Sequence, residues 1–250
     1  MSMASYIKRV LHRAVHNATD RVADFAVHLA AHRLGEGIEY RVVIHKFNKI
    51  YYDFELFHKM WWLGVTTGQN PCDNWVMQEI ITEVKPDFII ETGTGEGGTA
   101  LFYATVLSQV NEHGKVLTLD LVPQFGKASK FKLFQERVEF IHGSAASPEI
   151  VEAVTQRVKG KKVLITLDSK HSKENVLNEI KCYAPLVSRD SYLVVQDTNA
   201  NGHPVLPDFG PGPYEAVQEF LKTDKNFVID HNREKFLLTF YPSGYLKRIR

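Results

Sequence analysis

The chain has 250 residues, of which 44% are hydrophobic and 24% charged, and its formal net charge is +1. The composition is typical of a globular protein, and the length fits one α/β domain with an N-terminal extension. The near-neutral charge argues against nucleic acid as a partner, and no apolar run is long enough to span a bilayer. The two cysteines have no metal-ligand spacing and no signal-like N-terminus is evident, so we expect a reducing, cytoplasmic location.

Residues 1–75 are predicted to form an extension that is first helical and then rich in aromatic side chains. Apolar residues recur with helical spacing over 5–34, opposite a face that is mainly basic. We expect this helix to pack on its own domain or on another subunit, which favours a homo-oligomer; peripheral contact with a membrane is the alternative. The aromatic residues of 38–75 suit a core or the wall of a small-molecule pocket. Asp73 is the expected N-cap of a helix that runs toward Pro86.

Residues 76–250 are predicted to form the catalytic domain. Apolar strand patterns alternate with helical patterns from residue 87 onward, which predicts a mainly parallel sheet with helices on both faces. The last two strands have no helix between them, so we expect them to be antiparallel to each other. This gives an α/β fold with seven strands. The predicted strands are 87–91, 116–120, 138–141, 163–168, 191–197, 226–230 and 235–240, and the predicted helices lie near 97–110, 127–135, 148–158, 172–183 and 213–222.

The strand at 87–91 leads into a glycine-rich turn and then a helix start. Glycine is expected at such a turn, because the backbone must bend sharply and approach a ligand closely. The spacing matches the G-x-G-x-x-G pattern of dinucleotide sites, with Asp120 at the expected distance of roughly 20 residues. We expect the turn to bind a cofactor, and its glycines are Gly93, Gly95, Gly97 and Gly98.

Glu91, two residues before the first glycine, decides between two cofactors. A carboxylate at this point would repel the pyrophosphate of a nicotinamide dinucleotide. It suits S-adenosylmethionine (SAM), whose ammonium and sulfonium groups are cationic, and the E-x-G-x-G-x-G run is similar to the first motif of SAM-dependent methyltransferases. We therefore expect SAM, with an NAD-dependent oxidoreductase as the alternative.

Four predicted strands end in a carboxylate, at the sheet edge where ligands of such folds bind. Asp120 is placed to accept hydrogen bonds from ribose hydroxyls, and Ser144 is a candidate contact of the adenine. Helix capping is the alternative role for each of these acids, because Asp is favoured at N-caps. The four acids are Glu91, Asp120, Asp168 and Asp197.

The ends of the fourth and fifth predicted strands indicate a metal site. Asp168, Asp197 and the amide oxygen of Gln196 are expected to converge in a cleft, and such oxygen ligands suit Mg²⁺, Mn²⁺ or Ca²⁺. His171 lies three residues after Asp168, where the next helix begins. An imidazole titrates near neutral pH, so His171 is a candidate general base beside the metal, with a surface or capping histidine as the alternative.

Three segments resemble the cephalosporin hydroxylase family, which also contains rhamnosyl O-methyltransferases. They read DSKHSKENVL at 168–177, YLVVQDTN at 192–199 and NGHPVLPDFGPGP at 201–213, and the similarity extends from about Trp61 to the C-terminus. The resemblance implies a Rossmann-like class I methyltransferase fold, SAM and a divalent metal, with Mg²⁺ as the expected ion. It also implies a small-molecule or glycosylated acceptor: a hydroxyl of a sugar, glycolipid or other natural product.

The resemblance extends to macrolide-sugar O-methyltransferases, and there it implies roles for individual residues. Asp168 and Asp197 match metal ligands, with Asp168 part of the catalytic pair, and His171 matches the base. Gln196 departs from the pattern, because the family usually has Glu at this position, and a neutral amide binds a hard cation less strongly. A SAM-binding protein with attenuated or no catalysis is therefore a further alternative.

The loop at 199–213 contains four prolines, whose restricted φ angles predict a defined loop shape. We expect this loop to border the acceptor pocket. Asn199 and His203 are the candidate acceptor contacts, and a rigid structural support is the alternative role for the loop.

Overall fold

The computed structural model describes residues 37–250, with side chains from residue 41 onward. The helix predicted over 5–34 lies outside the described residues. Residues 48–250 form one compact unit, and the domain boundary predicted at residue 75 stays a prediction. Within the described part of the chain, no helix has both the length and the apolar character needed to cross a membrane.

The strands follow the apolar runs of the sequence, and seven of the nine in the described region form one sheet. The other two make a short antiparallel hairpin. The strands are β1 (Trp61–Trp62), β2 (Val65–Thr66), β3 (Phe88–Thr92), β4 (Lys115–Asp120), β5 (Val138–His142), β6 (Val163–Leu167), β7 (Tyr192–Val195), β8 (Phe227–Ile229) and β9 (Tyr245–Arg248).

The helices between the strands agree closely with the prediction, except that the helix expected near 127–135 starts later and is shorter. A helix at the start of the described region was not predicted. The α-helices are α1 (Gly37–Asp53), α2 (Pro71–Val84), α3 (Gly98–Val110), α4 (Lys132–Arg137), α5 (Pro148–Arg157), α6 (Lys173–Tyr183) and α7 (Pro213–Thr223).

The sheet order is β5-β4-β3-β6-β7-β9-β8. The first five strands in this order are parallel, and β9 is antiparallel to both of its neighbours. Strands β3 and β6 are buried along their whole length, as expected for parallel strands covered by helices on both faces. The chain order reverses between β3 and β6, and a crevice forms at the carboxyl ends of strands at such a point. The predicted seven-stranded sheet with an antiparallel C-terminal strand is confirmed.

The last strand was predicted too early in the chain. Residues 235–240 form no strand, and β9 supplies the final strand instead. The Thr239 hydroxyl and the Phe240 backbone N–H donate to the buried carboxylate of Asp73, at 2.5 and 2.7 Å. These bonds hold the segment against α2, so its backbone is not available to the sheet.

The predicted N-cap of α2 was also wrong. The helix begins at Pro71, and the side chain of Asn70 caps it by accepting from the backbone N–H of Cys72 at 2.8 Å. Proline is favoured in the first helical turn, so the Asn70-Pro71 pair sets the start. Asp73 lies inside the helix, where its carboxylate also accepts from the Tyr245 hydroxyl at 2.8 Å.

The aromatic segment divides between core and surface. The rings of Tyr51 and Phe57 lie 5.8 and 5.9 Å from the ring of Phe240, so this part is core. Trp61 and Trp75 are 64% and 60% exposed, so they do not fill the interior.

We expect Asp73→Ala to lower the free energy of unfolding by roughly 2–4 kcal/mol, because three buried donors lose their acceptor. The control is Glu79→Ala, also on α2, whose carboxylate meets Lys235 at the surface. That change should cost about 1 kcal/mol or less. Urea denaturation measures both, and equal small losses would contradict the anchoring role of Asp73.

Candidate functional site

A cavity of about 490 Å³ opens at the carboxyl ends of β3 to β6. This volume is within the range of small-molecule and cofactor sites. Leu121 and Ser144 line one end, beyond β4 and β5, and the glycine turn lines the middle. Asp168, Lys170 and Glu179 line the other end, beyond β6.

The glycine turn is built on left-handed backbone, with φ of 88° at Gly93, 50° at Gly95 and 81° at Gly97. A methyl group at Gly93 would overlap the carbonyl oxygen of Asp168, so only glycine lets the turn and the end of β6 meet. Gly93 and Gly95 line the cavity, and their role as cofactor contacts stays a prediction. Gly97 lies instead against Phe125, and its own role as a contact stays a prediction.

Asp120 anchors the glycine turn from the end of β4. Its Oδ2 accepts from the backbone N–H groups of Thr94 and Gly95, at 2.9 and 3.1 Å. The carboxylate also lines the cavity, on the same side as Ser144. A carboxylate has about four acceptor positions, so Asp120 retains capacity for a ligand hydroxyl.

Glu91 lies behind the turn and is 1% exposed, and it does not line the cavity. Its Oε2 accepts from the Thr118 hydroxyl at 2.6 Å, while its buried Oε1 has no hydrogen-bond partner within the described residues. Burial, joined by the nearby charges of Asp168 and Asp120, raises the pKa of Glu91 to about 8 against the opposing effect of the Thr118 bond. A direct role of Glu91 in binding a cationic ligand stays a prediction.

The cavity wall is strongly acidic. Among its lining side chains, one is a lysine, Lys170, whereas four are carboxylates. Clustered carboxylates favour a cationic ligand and repel a pyrophosphate. The acidic lining therefore favours SAM over a nicotinamide dinucleotide, and its members are Glu96, Asp120, Asp168 and Glu179.

Asp168, His171 and Asp197 meet beside this cavity, as the sequence predicted. His171 Nε2 lies 3.3 Å from Asp168 Oδ1, and His171 Nδ1 lies 3.2 Å from Asp197 Oδ2. One potential ligand atom from each residue lies within 4.8 Å of the others. Asp197 has a φ of 52°, which is uncommon for a residue other than glycine and is often associated with functional sites.

The imidazole of His171 is held between two negative charges. Burial lowers its pKa, but Asp197 and Asp168 outweigh that effect and raise the pKa to about 9. The imidazole thus lies between the two carboxylates that are the predicted metal ligands.

Gln196 is turned into the core. Its Oε1 accepts from Gln69 Nε2 at 2.7 Å and from the Tyr241 hydroxyl at 2.8 Å, and its Nε2 donates to the Thr166 hydroxyl at 2.5 Å. The amide oxygen therefore already contacts two donor groups, one of which, the Tyr241 hydroxyl, also contacts Gln69 Oε1. Its predicted role as a metal ligand stays a prediction, and it would require Gln69 or Tyr241 to give up a bond.

Sequence reasoning missed Gln69, which connects Gln196 to the candidate metal site. Gln69 Nε2 also donates to Asp168 Oδ2 at 2.8 Å. Gln69 and Asp168 are 99 positions apart in the chain, and no local sequence pattern predicts that a glutamine in a loop contacts this aspartate.

Glu179 was missed as well, although the sequence carries a signal for it. Helix α6 buries Val176 and Tyr183, and Glu179 falls on the same helical face. An acid on an apolar helix face predicts a buried carboxylate, and buried carboxylates are candidates for function.

The proline-rich loop is fixed to the start of α7. His203 Nε2 lies 2.9 Å from Glu215 Oε1, and its ring stacks on Tyr214 at 3.9 Å. Glu215 Oε2 also accepts from the backbone N–H of Gly212 at 2.7 Å. Asn199 is fully buried, and neither polar atom of its side chain has a partner in the described structure. The acceptor roles of Asn199 and His203 stay predictions.

Comparison with known proteins gives consistent matches over most of the chain. Residues 55–249 match the family model described as Rhamnosyl O-methyltransferase/CmcI. A rhamnosyl O-methyltransferase of Mycobacterium tuberculosis is 40% identical over 212 residues, covering 82% of this chain and 85% of that protein. The Mycobacterium leprae protein of the same name is 35% identical over 215 residues, covering 82% and 90%.

Solved structures of CmcI share the fold. An apo structure superimposes with a TM-score of 0.58 at 16% identity over 77% of each chain. A structure described with Mg and SAM gives a TM-score of 0.57 at 16% identity, covering 77% of this chain and 78% of that one. The Rossmann-like α/β fold predicted from the sequence is confirmed.

We expect Gly93→Ala to disrupt the site, because the new methyl group would overlap the Asp168 backbone in addition to straining a positive φ. Gly95→Ala is the matched control, since its φ is also positive but no atom lies within 4 Å of the added carbon. The control should cost about 1–2 kcal/mol of backbone strain. Thermal and urea unfolding measure the difference, and equal losses would contradict the close approach of the turn to Asp168.

We expect Glu91→Gln to change the pH dependence of stability. The pKa of Glu91 is raised from 4.5 to about 8, so the folded protein favours the protonated carboxyl. Glu91 therefore contributes most to the stability of wild type below pH 4.5, and this contribution is lost as pH rises through 8. The variant should therefore gain roughly 1–3 kcal/mol relative to wild type between pH 5 and pH 8.5. Urea denaturation at both pH values tests this, with exposed Glu96→Gln as the control. Parallel profiles for wild type and Glu91→Gln would contradict it.

Proposed function

The chain belongs to the Rhamnosyl O-methyltransferase/CmcI family and is a SAM-dependent O-methyltransferase; we propose that it methylates a hydroxyl of a sugar, glycolipid or other natural product with the help of a divalent cation. The name of its mycobacterial relatives supports a glycosylated acceptor, and the aligned region covers 85% of that protein. A homo-oligomer and a cytoplasmic location, both expected from the sequence, belong to the same proposal, and peripheral membrane contact is the alternative to subunit packing.

One observation carries this proposal: the acidic cavity and the Asp168–His171–Asp197 cluster share a wall. Asp168 lines the cavity, and its Oδ1 lies 3.3 Å from His171 Nε2. A donor in the cavity and an acceptor at the cluster would therefore be neighbours. Such proximity supplies much of the rate of an in-line methyl transfer.

The residues at the β4 and β5 end suit the adenosine part of SAM. Asp120 offers its carboxylate to the ribose hydroxyls, and Ser144 lies on the same side of the cavity for the adenine. The backbone of Gly93 and Gly95 leaves room for the ligand in the middle. The methionine part would then extend toward Asp168 and the candidate cation site.

Asp168 and Asp197 would hold the cation. Their carboxylate oxygens are hard ligands, and Mg²⁺ is commonly bound by one or two carboxylates with water completing the octahedron. A bound cation lowers the pKa of an acceptor hydroxyl as a Lewis acid. The buried amide of Gln196 adds no charge to this site.

His171 would accept the proton of the acceptor hydroxyl. The same two carboxylates raise its pKa and would hold the cation. Cation binding at Asp168 and Asp197 therefore offsets the cause of the shift and brings the imidazole toward the range of a general base.

A SAM-binding protein with attenuated catalysis is the second candidate, and Gln196 favours it. The residue lacks the charge that the family usually places there, and its amide oxygen is already bonded to Gln69 and Tyr241. An NAD-dependent oxidoreductase is disfavoured by the acidic cavity wall.

We expect methyl transfer from SAM to methyl rhamnoside, used as the acceptor probe, to stop in a chelator and to return with added Mg²⁺. Asp197→Asn should remove most of the activity and weaken Mn²⁺ binding, measured by electron paramagnetic resonance, because one of two charged ligands is lost. Exposed Asp190→Asn, which lies outside the site and the proline-rich loop, is the control and should behave as wild type. Full activity in chelator would contradict the cation's role, and SAM binding without transfer to a panel of glycosides would favour the second candidate.

A further inference from the structure

Glu179 is a buried carboxylate that no motif of the chain includes. It lies on α6, is 2% exposed, and lines the acidic cavity beside the glycine turn. Burial of an ionisable group costs free energy unless its surroundings compensate for that cost. The buried carboxylate of Glu179 on the wall of a cofactor-sized cavity is therefore a candidate contact for a ligand.

Three hydrogen bonds orient this carboxylate. Glu179 Oε1 accepts from the Ser169 hydroxyl at 2.5 Å and from Asn175 Nδ2 at 3.0 Å. Glu179 Oε2 accepts from the Thr92 hydroxyl at 2.9 Å. Thr92 ends β3 and Ser169 follows β6, so the carboxylate is fixed where the two strands at the reversal of chain order end. A carboxylate has about four acceptor positions, so one remains on Oε2.

The other carboxylates near this end of the cavity differ from Glu179, because each is either bonded to neighbouring side chains or set back from the cavity. Asp168 accepts from Gln69 and contacts His171, and Glu91 lies behind the turn. Asp120 binds the turn amides at the opposite, adenosine end. Within residues 41–250, no ion pair with a lysine, arginine or histidine is formed by Glu179. The cavity thus contains a buried, oriented acid that forms no ion pair in the described part of the chain, although the charge of the His171 imidazole acts on it.

We propose that Glu179 binds the ammonium group of the methionine part of SAM and so positions the methionine end of the donor. This inference rests on the proposed function. The pKa of Glu179 is raised by burial, against the opposing effect of its three hydrogen bonds. A bound ammonium would offset the cost of burial, which is the balance expected of a carboxylate that meets a cationic ligand.

The test compares two ligands that differ at this group. S-adenosylhomocysteine carries the ammonium, whereas 5′-methylthioadenosine keeps the adenosine and the thioether but has no amino-acid part. We expect Glu179→Gln, which is nearly isosteric, to weaken S-adenosylhomocysteine binding by about 10- to 100-fold in calorimetry, as for loss of a charge-assisted bond. Binding of 5′-methylthioadenosine should change by less than about 3-fold. Glu174→Gln, exposed on the same helix, is the control and should leave both affinities unchanged.

Two outcomes would overturn the assignment while the proposed function stands. If Glu179→Gln weakens the binding of both ligands equally, the residue only connects β3, β6 and α6. If the affinity for S-adenosylhomocysteine is unchanged, Glu179 does not contact the ammonium group. Failure of wild type to bind S-adenosylhomocysteine would overturn the proposed function together with the assignment. If Glu179→Gln does not fold, Glu179→Asp keeps the charge. That variant should retain a preference for S-adenosylhomocysteine over 5′-methylthioadenosine, and loss of the preference would overturn the assignment.

Discussion

The close approach of the Gly93 backbone to the Asp168 backbone is the constraint on which the site depends. The Gly93 N–H donates to Leu119 O at 2.8 Å, and the Asp168 N–H donates to Thr92 O at 2.9 Å. These bonds continue the ladders of β4, β3 and β6 past the strand ends. Because no side chain separates the turn from the end of β6, the cavity beside the turn also reaches Asp168, one of the three residues of the candidate cation site.

Charge then distinguishes this cavity from a dinucleotide site that uses a similar turn. The lining carboxylates create a negative potential that a ligand with ammonium and sulfonium groups would neutralise. Beside the cavity, His171 is held between Asp168 and Asp197, and a cation would compete for the same carboxylates. The acidic cavity and the Asp168–His171–Asp197 cluster thus lie next to each other, as the proposed metal-assisted methyl transfer would need.

The sequence predicts those features that arise from local patterns. The sheet and the turn follow from apolar runs and glycines, and the cluster follows from parallel strands that end in Asp168 and Asp197. What depends on distant contacts was not predictable: Gln69 reaches Asp168 from a loop, and Asp73 draws 239–241 away from the sheet. The sequence does not determine whether the amide of a neutral residue such as Gln196 faces the site or the core. In the structure this amide faces the core.

The central claim is that one residue, Asp168, borders both the donor cavity and the cation site, so that donor and acceptor lie next to each other. The most direct test is a crystal structure with S-adenosylhomocysteine and Mn²⁺, with the ion located by its anomalous signal. The account predicts the thioether beside Gly93, with one manganese peak between the carboxylates of Asp168 and Asp197. A bound ligand with manganese at another place, or with its adenine at the Asp168 end of the cavity, would contradict it.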